Sequence, residues 1–139
     1  MKFSTRTRYA LRLMLELALA EEGGYVSLKD VSRKQEISIK YLEQIVTPLS
    51  RAGLVASSRG SQGGYKLTRQ PSEYTAGDII RAIEGNLAPV ACLEHAPNSC
   101  ARAGHCATLK FWEGLHHTIN GYLDSTTLEQ LAQSGDCFP

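Results

Sequence analysis

Three of the four cysteines, Cys92, Cys100 and Cys106, stand in a C-x7-C-x5-C pattern, and Cys137 lies 31 residues beyond the last of them. Thiolates at this density are the donors that soft and borderline metals select, as iron–sulfur clusters, zinc or copper(I). The pattern has no C-x2-C knuckle of the structural zinc kind and misses the standard ferredoxin runs. A loop of 15 residues can still fold its three thiols back on one centre at modest entropic cost. On spacing alone three chemistries stay open: a metal or cluster, thiol redox sensing, and inert cysteines. A second candidate is the run Arg59-Gly60-Ser61-Gln62-Gly63-Gly64. It lacks the GxxxxGK[ST] pattern of a nucleotide cradle and opens into a strand-like segment, so a flexible hairpin tip is the better reading. Arg59 stands at the base of this tip.

The elements around these residues follow from local patterns. Residues 5–22 read as a helix, apolar over most of its surface, with one polar row of Arg8, Arg12 and Glu16 and an end at Gly23-Gly24. Ser27 can cap a short helix over 28–35, with Val26 and Val31 as a hydrophobic staple. The same grammar repeats at once. Ile37 staples to Leu42 across Ser38, and the second helix buries Leu42, Ile45, Val46 and Leu49. Lys40, Tyr41, Glu43, Gln44 and Thr47 lie on its other faces; Pro48 is expected to kink or unwind it, and Gly53 to stop it. Two helices joined by so short a turn form a helix-turn-helix. Residues 54–58 and 65–68 read as two strands flanking the glycine-rich tip, and a helix-turn-helix followed by a hairpin is a winged helix.

Thr75-Ala-Gly-Asp78 is a further capping box, with Tyr74 and Ile79 as its staple, and it starts a helix that Gly85 ends. Residues 86–106 form the cysteine-bearing loop. A longer helix is expected over 107–123, carrying Leu109, Trp112, Leu115, Ile119 and Tyr122, with a short element around Leu128 and Leu131 after it.

A net charge of +1 over 139 residues conceals two unequal halves. Residues 1–72 hold twelve Lys and Arg against six Asp and Glu, whereas 73–139 hold three against eight. A +6 half beside a −5 half suits an anion-binding unit joined to a different one. Hydrophobic content of 42% and charged content of 21% exclude collagen-like, disordered and polytopic membrane classes. The segment LRLMLELALA loosely imitates a signal peptide, but Arg12 and Glu16 interrupt it and no stretch is long enough to span a bilayer. A cytoplasmic protein with reduced thiols is the expectation.

With these residues in hand, the chain resembles the IscR-type, or Rrf-two, winged-helix regulators. The resemblance rests on KFSTRTRYALRLM, ISIKYLEQIVTPLSRAGLV, RGSQGGYKL, TAGDIIRAIEG, the three-cysteine loop with its C-x5-W close, and LDSTTLEQLA. It covers nearly the whole chain. It implies a mainly α fold: a winged helix-turn-helix DNA-binding domain over 1–85 with a two-stranded wing, a cluster-binding loop over 86–106, and a dimerisation helix with a tail over 107–139. It implies a homodimer on roughly palindromic double-stranded promoter DNA, its half-site centres about 34 Å apart, and no membrane. It implies DNA contacts from Lys40, Tyr41, Glu43, Gln44, Arg59 and Gly60, with Ser38 chiefly a cap. Gln44 can pair with adenine, and Glu43 can accept from cytosine N4.

The resemblance further implies that Cys92, Cys100 and Cys106 hold an iron–sulfur cluster, 2Fe-2S ahead of 4Fe-4S, and that its state decides which promoters are bound. Leu109 stands where one branch of the family has a histidine ligand, and Arg8 where another has an acidic one. Glu94, His95 and His105 are the nearby fourth-ligand candidates; His116 and His117 suit a helix surface, and Cys137 a loose terminal thiol. The resulting expectation is a transcription regulator, mainly a repressor, of iron–sulfur biogenesis or of cysteine and redox-stress genes. The rival is a cofactor-free winged-helix regulator acting through thiol oxidation or a partner protein. No cysteine has an identifiable base in a pocket context, so an enzyme is not expected.

Overall fold

The computed structural model describes residues 2–20, 24–60 and 63–134. Helix α1 spans Thr5–Leu19, α2 Leu28–Gln35 and α3 Ile39–Arg51; strands β1 (Val55–Ser58) and β2 (Gly64–Leu67) follow; then come α4 (Ala76–Glu84), α5 (Leu109–Ser125) and α6 (Leu128–Gln133). This is the mainly helical winged architecture that the sequence implies.

The serine and threonine caps of α1, α2, α3, α4 and α6 act as their residue types predict. Ser4, Ser27, Ser38, Thr75 and Thr127 each accept a hydrogen bond from a backbone N–H of the first helical turn. Such a cap stabilises by about 1 kcal/mol. The strands pair antiparallel with Val55 opposite Leu67 and Ser58 opposite Gly64. Val26 adds a bridge to Tyr65 through two 2.8 Å backbone bonds. Gly64 is required there, because a Cβ would overlap the Val26 carbonyl. The same bridge explains why α1 ends at Leu19 and not at residue 22: the chain must leave the helix early enough to reach the wing. Residues 21–23 lie outside the described part.

Of the kink or unwinding that Pro48 suggests, the unwinding does not occur; the helix continues through it to Arg51. Leu49, fully buried, anchors the turn beyond it. Proline has no N–H to give the carbonyl four residues back, that of Gln44. The Arg6 guanidinium approaches this carbonyl at 3.5 Å.

The main core joins Leu13, Met14, Val31, Leu42, Ile45, Leu49, Ile79 and Leu128. Tyr74 is buried completely, and its hydroxyl donates to the Leu54 carbonyl at 2.7 Å while accepting from the Thr68 and Arg69 N–H groups. One phenol therefore fastens the wing to α4. A smaller cluster of Ala76, Ile80, Leu87 and Leu123 packs α4 against α5. Arg81 clasps Asp124 at 2.8 Å, which holds that carboxyl below the usual range. Beside them an isolated bridge pairs Thr75 with Thr127, so the caps of α4 and α6 lie side by side. The C-terminal Gly135–Pro139, with Cys137, is outside the described residues.

Candidate nucleic-acid interface

Helix α3 turns one face to the core and the other to solvent. Leu42, Ile45, Val46 and Leu49 are buried, whereas Ile39, Lys40, Glu43, Gln44 and Thr47 are exposed. The spacing follows from 3.6 residues per turn: residues 39, 43 and 47 form one row, and 40 and 44 the next. Lys40, Glu43 and Gln44 thus share a solvent face, as the sequence suggests. Arg59 and Gly60 are exposed just past β1, and Gly60 opens the wing turn with φ at +111°, a value that side-chain-bearing residues rarely adopt. The wing tip, Ser61 and Gln62, is outside the described residues. Among the described residues neither Lys40 nor Arg59 is held in an ion pair.

Two of the anticipated contact residues have partners inside the protein. The Ser38 hydroxyl accepts from the Tyr41 N–H at 3.1 Å as the α3 cap. The Tyr41 ring is half-buried edge-on to Tyr9, 5.6 Å between centroids, and joins the periphery of the main core.

The first turn of α1 sits between α3 and the start of the cysteine loop. The Ser4 N–H and the buried Thr7 hydroxyl donate to Glu84 Oε1 at 2.7 and 2.6 Å. These bonds, Thr7's first, hold the Glu84 carboxyl below its ordinary range. Nothing in the local sequence pattern announces this pairing, because its partners are 77 and 80 residues apart.

The loop from residue 86 to 106 is held differently. Short 3-10 turns cover Ala91–Leu93 and Ala103–His105, and Asn98 Oδ1 accepts from the Cys100 N–H at 2.8 Å. Cys92 and Cys106 are half-buried and Cys100 is exposed, all as free thiols. The Thr108 hydroxyl, 3.4 Å from Cys106 Sγ, and the backbone N–H groups of Thr108 and Leu109 draw the Cys106 thiol below its ordinary pKa. Three thiols are a suitable donor set for an iron–sulfur cluster. Their arrangement is not: among the described residues no three His, Cys, Asp or Glu side chains are grouped to hold a metal ion. Glu94, His95 and His105, the fourth-ligand candidates, are likewise exposed and ungrouped. In the fold described, the three thiols are not drawn together on one centre.

No described helix is long and apolar enough to cross a membrane. The Rrf2 family model, described as an iron-dependent transcriptional regulator, matches residues 3–134. The HTH-type transcriptional regulator CymR of Bacillus subtilis (strain 168) is 44% identical over 98% of this chain and 93% of its own length. The HTH-type transcriptional regulator IscR of Aliivibrio salmonicida (strain LFI1238) is 39% identical over 94% of this chain and 77% of its own. The solved structure of CymR (YrzC), described as the global cysteine regulator of B. subtilis, superposes with a TM-score of 0.78 at 42% identity, covering 98% of this chain and 99% of that one. These relatives are named as regulators of transcription and not as enzymes. The capped helix pair, the wing and the family match along 3–134 converge on one conclusion: the chain belongs to the Rrf2 family of DNA-binding transcriptional regulators.

Proposed function

We propose that the protein is a sequence-specific DNA-binding regulator, mainly a repressor, that acts in the cytoplasm as a homodimer on double-stranded promoter DNA and takes its signal through the cysteine loop. The observation that carries the DNA reading is the shared solvent face of Lys40, Glu43 and Gln44 on α3, with Arg59 and Gly60 exposed at the start of the wing turn. The cations meet phosphates, Gln44 reads adenine, Glu43 accepts from cytosine, and Arg59 enters a narrow minor groove. The dimer is supported by α5, on which Phe111 and Tyr122 are 65% and 73% exposed, a large apolar surface for a helix to leave to water.

The input is proposed at Cys92, Cys100 and Cys106. The three-thiol donor set and the family's description as iron-dependent support an iron–sulfur cluster there, with loop closure as its precondition. The ungrouped thiols and the lowered pKa of Cys106 favour the second reading, regulation by thiol chemistry; a relative described as a global cysteine regulator fits that reading too. In either case the loop joins the end of α4 to the start of α5. A change of loop conformation therefore shifts the spacing of the two recognition helices in a dimer.

The decisive experiment for the DNA reading is Arg59→Ala with Gln44→Ala on operator binding at fixed salt. Specific binding is expected to fall at least a hundredfold without unfolding; undiminished binding overturns the placement of helix and wing. Anaerobic purification separates the two inputs. Visible absorbance with iron and sulfide supports the cluster, and a colourless, iron-free protein whose operator affinity follows thiol oxidation supports the rival.

A further inference from the structure

We infer that Ile39 is a specificity-determining residue that reads the methyl group of a thymine in the operator's major groove. The inference rests on the proposed docking of α3 and extends it to a residue outside the polar set. Ile39 is the first residue of α3 and is 42% exposed. It belongs to neither of the two apolar clusters, so the fold gives no reason for a branched aliphatic there. A β-branched residue is also a poor choice for an exposed helix position on propensity alone.

Its neighbours define what it faces. Ile39 shares an exposed row with Glu43 and adjoins Lys40, and the first turn of a recognition helix is the part that reaches base edges. The Ser38 hydroxyl is engaged in capping, the Tyr41 ring packs on Tyr9, and the Thr47 hydroxyl donates to the Glu43 carbonyl. The groups still presented there are one cation, one carboxylate, one amide and one aliphatic. Glu43 and Gln44 match nitrogen and oxygen positions on base edges, and Lys40 matches a phosphate. Only the aliphatic matches the C5-methyl of thymine, the one apolar group displayed in the major groove. Lys40 next to it, without an ion pair among the described residues, and the +6 charge of residues 1–72 favour a polyanion over an apolar protein groove as the occupant.

The test uses the full chain and an operator enriched from a random duplex pool. Each thymine is then replaced, symmetrically in both half-sites, by deoxyuridine, which lacks only the methyl. One such replacement is expected to weaken the wild type about fourfold per half-site, the worth of roughly 0.8 kcal/mol for one buried carbon. The Ile39→Ala variant is expected to be indifferent to the same replacement, to keep its salt dependence, and to accept other bases at that position on re-selection. The inference is overturned if every deoxyuridine replacement is harmless to the wild type, or if the sensitive one weakens Ile39→Ala equally. Failure to enrich any sequence overturns the docking of α3 itself, and Ile39 with it.

Discussion

The half of the chain before Gly85 and the loop after it are stabilised on different principles. In the first, residues far apart in sequence fasten one another: Tyr74 to Leu54, Glu84 to Ser4 and Thr7, Val26 to Tyr65. In the second, the described hydrogen bonds close within the loop or onto the start of α5: Ala88 N–H to Asn86, Asn86 to the Glu94 carbonyl, Cys100 N–H to Asn98, Cys106 to Thr108. Leu87 is its one residue in an apolar cluster. A segment with few buried contacts has a low local stability, so modest chemistry at its thiols can choose its conformation. The DNA-reading half cannot be bent so cheaply. The contrast suits a regulator, in which the reader must stay fixed while the sensor changes.

Perturbations of graded size can break or sharpen this contrast. The Arg59→Ala, Gln44→Ala pair has the largest expected effect, because each base contact is worth about 1–3 kcal/mol and a dimer loses every contact twice. Tyr74→Phe is next: it strands the Leu54 carbonyl and two N–H groups, and about 2–3 kcal/mol of unfolding free energy should disappear in denaturant titrations. A loss under 0.5 kcal/mol would mean that water replaces the phenol and that wing and α4 are not fastened there. Lys40→Ala should lower the slope of log affinity against log salt by about one unit per subunit, whereas Arg102→Ala and Lys110→Ala should leave it unchanged. An equal change from the last two would dissolve the division of charge between the halves.

Smaller still is an acid effect. Because the folded carboxyl of Glu84 titrates below its unfolded value, its stabilisation is complete above the unfolded pKa and is lost as pH falls through the folded one. Glu84→Gln should therefore lower the neutral plateau modestly and flatten the profile on the acid side, the two proteins converging at low pH. Last, Cys100→Ala in metal-free, reduced protein should shift stability by less than about 0.5 kcal/mol, since the thiol is exposed. A larger loss would show that the loop is part of the cooperative core.

The winged helix was legible because each of its parts is a local pattern. Ser27, Ser38 and Thr75 announce helix starts within three residues, and the glycine-rich tip announces the hairpin. What was not legible depends on tertiary partners. Pro48 in isolation suggests a kink or an unwound turn, but the fully buried Leu49 holds the next turn in place. Tyr41 reads as a surface residue until Tyr9 is seen against it. The Tyr74 ring was visible as a staple, and its hydroxyl's three partners were not. The cysteine spacing permitted a common centre without requiring one, since a loop without strong local preferences takes its shape from what binds it.

One consequence concerns α5, whose two ends are held unequally. At its C-terminal end the Arg81–Asp124 clasp and the Thr75–Thr127 bridge fix it to α4; its N-terminal end is attached to the loop that carries Cys106. Seventeen helical residues span about 25 Å at 1.5 Å each. The helix is then a lever with its pivot at Asp124 and its handle at Leu109. A tilt of about 10° would carry the handle roughly 4 Å while hardly disturbing the pivot. In a dimer built on this helix, small work done on the loop is returned as a large displacement of the partner's reading head.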